Sequence, residues 1–239
     1  MNLVKTKNIT LEIGDGSSMS AFTAMPEGKG TYPGILIFQE AFGVNSYIRD
    51  VAERFAKLGF IAIAPELFHR TASGYEGSYA DFEGTRIHIL ALTEEGLLKD
   101  IEASYNWLKK NPGLKHEEIA SAGFCLGGRV SFLANTNVKL KAAVSFYGSN
   151  IPSLLNRIDK ISAPQLMFWG GLDKHIGDDQ IAAVTGAMKE KGKNFVSVVF
   201  SNADHGFFCD VRKSYNPEAA KNAWALVISF LETYLDWKQ

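Results

Sequence analysis

The stretch "GFCLGG" (residues 123–128) decides the interpretation of the chain, because it joins an apolar run to a predicted helix. The run "IASAGF" (119–124) is typical of a buried strand, and a helix is predicted from the turn to about Ala134. Gly123 and Gly127 flank Cys125 at positions where side chains would collide with neighbouring backbone. This spacing is typical of the strained strand-to-helix turn that presents a nucleophile at the edge of a sheet.

Apolar runs and helical patterns alternate on both sides of this turn. The other predicted strands are "NITLEI" (8–13), "MSAFTAM" (19–25), "GILIF" (34–38), "FIAIAP" (60–65), "KAAVSFYG" (141–148), "QLMFWGG" (165–171) and "FVSVVF" (195–200). Helices are predicted after residue 45, before the "NPG" of 111–113, over about 178–191, and from Pro217. Residues 66–92 are predicted to form a long irregular segment, and a loop is expected after residue 148. The alternation predicts one α/β domain over residues 1–239, with a mostly parallel central sheet and helices on both faces.

The bulk composition excludes several classes of function. The chain has 25 basic and 26 acidic residues, so it has no positive net charge that would attract it to nucleic acid or to an anionic membrane. No apolar stretch approaches the roughly 18 residues of a membrane span, and the N-terminus lacks a secretory pattern. We therefore expect a cytoplasmic protein with free thiols at Cys125 and Cys209. No nucleotide-binding glycine motif and no metal-like histidine spacing occurs, so no cofactor and no metal site is predicted.

Polar residues follow several of the predicted strands, where ligand sites form in such sheets. Cys125, Asp173 and His205 occur in the chain order nucleophile, acid, histidine that is typical of α/β-hydrolases. Each alone has an ordinary explanation, since a free cysteine is often a small buried hydrophobe and an aspartate after a strand is often a turn former. The three together favour a hydrolase. The dipole of the helix behind Cys125 also favours its thiolate.

At this point the sequence resembles the dienelactone hydrolase family, α/β-hydrolases with cysteine in place of serine. The matching stretches are "FQEAFGVNSYIRDVAERFAKLGFIAIAPELF" (38–68), "GFCLGGR" (123–129), "GGLDKHI" (170–176) and "DHGFFCDVRKSYNPEAAKNAW" (204–224). They extend over almost the whole chain. The resemblance implies a hydrolase that cleaves a small ester or lactone through a cysteine acyl-enzyme and needs no cofactor.

The resemblance also assigns roles to individual residues. It implies that Cys125 is the nucleophile, His205 the general base and Asp173 its orienting acid. Glu40 corresponds to the extra carboxylate of the family, implied to contact the cysteine and help deprotonate it. A carboxylate in a dry pocket has a raised pKa and can accept a thiol proton. The backbone N–H groups of Ala41 and Leu126 are then expected to form the oxyanion hole.

The residues that would bind the substrate are less sharply defined by the sequence. Members that open dienelactones hold the substrate carboxylate with arginines, one of them a few residues after the catalytic histidine. Here "HGFFCDVR" places Arg212 further on, where it matches a position common in the wider family or serves to hold the final helix. Arg86, Phe207 and Tyr79 are the remaining candidates for substrate contacts.

Two alternatives remain open at this stage. The first is a thioesterase or broad-specificity carboxylesterase that uses the same triad. The second is a non-catalytic or redox-sensing protein on the same fold, in which Cys125 or Cys209 is a reactive thiol. A sensor needs only a thiol of low pKa, so the presence of Glu40, Asp173 and His205 favours the enzyme.

Overall fold

Eight strands form the central sheet of the computed structural model, which describes residues 2–238. The strands are β1 Val4–Glu12, β2 Ser18–Pro26, β3 Tyr32–Phe38, β4 Ile61–Pro65, β5 Leu114–Phe124, β6 Ala142–Phe146, β7 Gln165–Gly170 and β8 Phe195–Phe200. Their order across the sheet is β1-β2-β4-β3-β5-β6-β7-β8. The hairpin of β1 and β2 is antiparallel and β2 runs antiparallel to β4, whereas all remaining neighbours are parallel.

The central strands are buried throughout the part that leads to the site. β4 and β6 are buried along their whole length, as is β5 from Glu118 to Phe124. Parallel strands covered by helices on both faces lose the alternation of polar and apolar residues, which is why these segments read as continuous apolar runs. The register pairs Phe38 with Gly123 and Phe124 with Phe146, so three strands end together at one edge.

Residues 2–238 contain six α-helices. They are α1 Ser46–Lys57, α2 Phe82–Leu90, α3 Glu94–Lys110, α4 Leu126–Asn135, α5 Asp178–Glu190 and α6 Pro217–Tyr234. Of these, α1, α3, α4 and α6 pack against strands of the sheet. The Asn45 side chain caps α1 by accepting a hydrogen bond from the Ile48 N–H at 3.2 Å. α1 meets α6 through the rings of Phe55 and Trp224, 4.9 Å apart, and α3 packs against α4. None of the helices in residues 2–238 combines the length and apolar composition needed to cross a membrane.

Two segments differ from the sequence predictions. Residues 66–92 are not irregular throughout, because they contain α2, whose N-terminus Asp81 caps by accepting from the Gly84 N–H at 2.9 Å. The apolar residues Phe82, Ile87 and Leu90 of α2 are exposed, so the helix has no buried apolar stripe from which it could be predicted. The segment after β6 is not a plain loop either, since a 3-10 helix extends over Ile151–Lys160.

Candidate active site

The turn after β5 holds Cys125 in a strained conformation. Cys125 has φ +54° and ψ −114°, a backbone region that costs a non-glycine residue about 1–3 kcal/mol. A Cβ atom at Gly123 would overlap the Gly127 carbonyl oxygen, and one at Gly127 would overlap the Phe38 carbonyl oxygen. The two glycines therefore allow the close approach of backbone that holds Cys125 at the start of α4.

A buried aspartate and histidine lie in the loops that follow β7 and β8. Asp173 Oδ2 and His205 Nδ1 are 2.7 Å apart, and both side chains are nearly inaccessible to solvent. Asp173 Oδ1 accepts hydrogen bonds from the backbone N–H groups of His175 and Ile176, at 2.8 and 3.2 Å. These hydrogen bonds hold the Asp173 carboxylate in place, and the carboxylate in turn fixes the orientation of the His205 imidazole. The Nε2 atom of His205 is then available for proton transfer.

The charges of these three groups stabilise one another. Burial would lower the pKa of His205, but the Cys125 thiolate and the Asp173 carboxylate raise it to about 10. Burial would raise the pKa of the Cys125 thiol, but His205 outweighs burial and holds that pKa below its ordinary value. Burial would likewise raise the pKa of Asp173, and the hydrogen bonds from His205 and the backbone lower it overall. The arrangement therefore favours a thiolate and an imidazolium side by side.

Glu40 lies directly after β3 and is completely buried. Its Oε1 accepts from Arg212 Nη1 at 3.1 Å, and its Oε2 accepts from the Tyr79 hydroxyl at 3.0 Å. Its charge acts on Cys125 by raising the pKa of the thiol. Arg212 and Tyr79 therefore hold both oxygens of Glu40, and within residues 2–238 no hydrogen bond joins this carboxylate to Cys125.

Arg212 lies beside Glu40, a position that the sequence did not define. Besides its ion pair with Glu40, its guanidinium lies 5.9 Å from the ring centre of Phe42 and 5.6 Å from that of Tyr79. Arg212 therefore does more than hold the final helix. Its partner Glu40 is 172 residues away in the chain, so only the fold brings the pair together.

Two tyrosine hydroxyls lie within reach of the Glu40 charge, and of these tyrosines the sequence marked only Tyr147, as a residue at the end of a strand. The hydroxyls of Tyr47 and Tyr147 are buried and find no hydrogen-bond partner of good geometry among residues 2–238. Burial, followed by their mutual influence and the charge of Glu40, raises the pKa of Tyr47, and burial and Glu40 raise that of Tyr147. Tyr147 follows an apolar strand, where ligand sites form, whereas Tyr47 is an ordinary residue of the first turn of α1 that no sequence signal distinguished.

Two backbone N–H groups follow the ends of β3 and β5. The N–H groups of Ala41 and Leu126 donate to no protein acceptor within the described part of the chain. Ala41 is 1% and Leu126 2% exposed, and a buried N–H without an acceptor costs free energy comparable to a lost hydrogen bond. Leu126 follows Cys125, and Ala41 follows the end of β3, which is paired with β5 next to that turn, so the two donors are candidates to hold an oxyanion.

The three predicted substrate contacts have different surroundings: Tyr79 bonds to Glu40, Arg86 is exposed on α2, and Phe207 is fully buried. Arg86 projects into solvent from α2, where it pairs with Glu83 at 3.6 Å. Phe207 has no exposed surface and packs between the rings of Tyr147 and Phe200, each 5.3 Å away, so it belongs to the core beneath the site. In residues 2–238 no group of three or more His, Cys, Asp or Glu side chains is placed to hold a metal ion.

The strand order and the strained turn at Cys125 define an α/β-hydrolase fold. The chain belongs to the dienelactone hydrolase family, whose sequence model matches residues 19–235. It is 36% identical over 242 residues to a Synechocystis protein assigned as a carboxymethylenebutenolidase, with 97% of this chain and 98% of the relative covered. A Bradyrhizobium relative, 28% identical, is assigned as a 2-oxo-3-(5-oxofuran-2-ylidene)propanoate lactonase, and 94% of this chain and 93% of the relative are covered.

A solved structure shows the same fold over the whole length. The Klebsiella pneumoniae protein assigned as a dienelactone hydrolase superposes with a TM-score of 0.89 at 28% identity, covering 98% of this chain and 100% of that chain. The protein described here is therefore a hydrolase of the dienelactone hydrolase type.

The two cysteines are expected to differ sharply toward iodoacetamide. The lowered pKa of Cys125 leaves a larger thiolate fraction at neutral pH than an ordinary cysteine has, whereas burial raises the pKa of Cys209 to about 12. Peptide mapping after brief labelling near pH 7 should find Cys125 alkylated and Cys209 intact. As the pH falls through the pKa of Cys125 the labelling rate should drop, because the thiolate becomes thiol. Preferential labelling of Cys209 would contradict the assignment.

Proposed function

We propose that residues 1–239 act as a single α/β-hydrolase domain that cleaves a small ester or lactone through a thioester on Cys125. The observation that supports this most directly is the coupling of a strained, partly buried thiol to the His205–Asp173 pair. Arrangements of nucleophile, base and orienting acid are the signature of covalent acyl transfer. The names of the Synechocystis and Bradyrhizobium relatives favour a lactone as the substrate.

In the proposed reaction, Cys125 Sγ attacks the carbonyl carbon and the electron pair of the C=O bond moves onto oxygen. The N–H groups of Ala41 and Leu126 stabilise that oxyanion. When the intermediate collapses, the bond to the leaving oxygen breaks and His205 supplies the proton. His205 then removes a proton from water, which attacks the thioester and releases the acid and the free thiolate.

The leaving group distinguishes the candidate substrates. An ester or thioester releases a separate alcohol or thiol, whereas a lactone keeps its leaving oxygen tethered to the acyl group. A panel of unsubstituted lactones, aryl esters and acyl thioesters therefore separates a lactonase from a carboxylesterase or a thioesterase that uses the same residues. The absence of hydrolysis with every class would instead favour a non-catalytic or redox-sensing protein.

Glu40→Gln should separate two consequences of the buried charge. Without substrate, removal of the Glu40 charge should lower the pKa of Cys125 further and speed its alkylation near neutral pH. With substrate, acylation should be slower, by roughly tenfold or more, because Arg212 and Tyr79 lose the buried carboxylate that holds them. Stopped-flow acylation and timed iodoacetamide labelling measure the two rates.

Glu76→Gln is the matched control, because Glu76 also pairs with an arginine, Arg49, but lies outside the site. It should leave both rates unchanged. If Glu40→Gln acylates as fast as the wild type, Glu40 is a structural carboxylate and its proposed catalytic role is wrong.

A further inference from the structure

Arg129 differs from the other arginines of the chain. It lies on α4, one turn after Cys125. The other arginines each form an ion pair: Arg49–Glu76, Arg54–Asp50, Arg70–Asp100, Arg86–Glu83, Arg157–Glu94 and Arg212–Glu40. Within residues 2–238, no hydrogen bond or ion pair involves the guanidinium of Arg129.

The free guanidinium is not simply solvated at the surface. Arg129 is partly buried, and burial lowers its pKa even though the charges of Cys125 and Glu94 act to raise it. Buried charges in folded proteins are normally paired, because removing a charge from water is costly. An unpaired, partly buried guanidinium is therefore a donor group that is prepared for an anion from outside the chain.

Arg129 lines a cavity of about 130 Å³ between α3, α4 and the 3-10 helix. The apolar part of the wall is formed by Leu92, Leu97, Val130, Leu133 and Leu154, and the polar part by Glu94, Arg129 and Ser153. An apolar cavity of about 150 Å³ is large enough to bind benzene. The cavity thus combines space for a small ring or branched chain with a cationic group.

The carboxylate in the same wall does not neutralise Arg129. Glu94 Oε1 is already held by Arg157, with Nη2 at 2.6 Å and Nε at 2.8 Å. None of the side chains proposed for the acyl-transfer reaction lines this cavity. The cavity therefore has its own set of lining residues, with Arg129 close enough to feel the charge of Cys125.

We propose that this cavity is a second ligand site, which binds a small carboxylate carried on an apolar ring or branched chain. The carboxylate would take two N–H donors of the Arg129 guanidinium, the paired geometry that arginine favours for such groups. The apolar part would lie against the leucines and Val130. The proposal concerns binding alone, so it stands or falls independently of the acyl-transfer chemistry.

Benzoate is the probe for a calorimetric test on the full chain. The wild type should bind benzoate, and Arg129→Gln should bind it roughly tenfold to a hundredfold more weakly, the loss expected for hydrogen bonds to a charged group. Arg86→Gln is the matched control, since it removes a solvent-exposed arginine, and it should not change the affinity. Benzyl alcohol and inorganic phosphate, which each lack one half of the proposed ligand, should bind far more weakly than benzoate.

Two further variants locate the site. Arg212→Gln should leave benzoate binding intact, whereas Leu154→Phe, which fills the cavity and keeps Arg129, should abolish it. The proposal is wrong if Arg129→Gln or Leu154→Phe binds benzoate as the wild type does. It is equally wrong if the wild type does not bind benzoate, if Arg212→Gln removes the binding, or if phosphate binds as tightly as benzoate. Should Arg129→Gln fail to fold, Leu154→Phe decides alone.

Discussion

Cys125→Ala is expected to reduce hydrolysis of an activated aryl ester by roughly a thousandfold or more while the protein stays folded. The substitution removes the sulfur that would carry the acyl group, and neither His205 nor the backbone donors can replace it. It removes one partly buried sulfur and no hydrogen bond of good geometry, so the circular dichroism spectrum should match the wild type. The quantity to measure is kcat/KM, with the melting temperature determined on the same preparation.

Cys209→Ala is the matched control for this prediction. Cys209 is fully buried, and its thiol donates a hydrogen bond to the Tyr79 hydroxyl at 3.3 Å. Its raised pKa makes it a poor nucleophile at neutral pH. Cys209→Ala should therefore keep most of the activity. Near-normal turnover by a folded Cys125→Ala protein, or loss of activity only in Cys209→Ala, would remove Cys125 from its proposed role.

His205→Asn should have the second largest effect, a loss of about a thousandfold or more in kcat/KM. Two reasons combine. The general base for water attack is lost, and so is the cation that holds the pKa of Cys125 down against burial. With that cation gone the pKa of the thiol rises, so at neutral pH the thiolate fraction falls and alkylation of Cys125 should slow as well.

His175→Asn is the control, because the rings of His175 and His205 are 5.5 Å apart and His175 contributes only its backbone N–H to Asp173. This variant should retain the activity and the labelling rate of the wild type. Retention of both by His205→Asn, with their loss in His175→Asn, would show that the wrong imidazole has been assigned.

The sequence predicted the strands of the sheet and the turn at Cys125 because both depend on residues that are close together in the chain. The continuous apolar runs of β4 and β6 indicate strands buried on both faces. Gly123 and Gly127 are required by backbone overlaps within a few residues of the turn. The chain order of Cys125, Asp173 and His205 predicts three side chains at one edge of the sheet, and Asp173 Oδ2 and His205 Nδ1 are 2.7 Å apart.

The parts that were missed depend on long-range contacts or on exposed surfaces. Arg212 reaches Glu40 only through the fold, and Tyr47, on α1, is brought within reach of the Glu40 charge in the same way. Arg86 was chosen from a segment whose helix, α2, keeps its apolar residues in solvent, so no pattern showed which way it faces. Phe207 follows the histidine in sequence, but Gly206, with φ +78°, turns the chain between them, and the ring packs into the core.

The most direct test of the proposed mechanism is to detect the acyl group on the protein. An activated aryl ester is mixed with stoichiometric wild-type protein, the reaction is quenched in acid during the initial burst, and the peptides are mapped by mass spectrometry. We expect one acyl group, attached to the peptide that contains Cys125, and no adduct in Cys125→Ala. Rapid turnover with no adduct, or with the acyl group on another residue, would contradict a cysteine acyl-enzyme at Cys125.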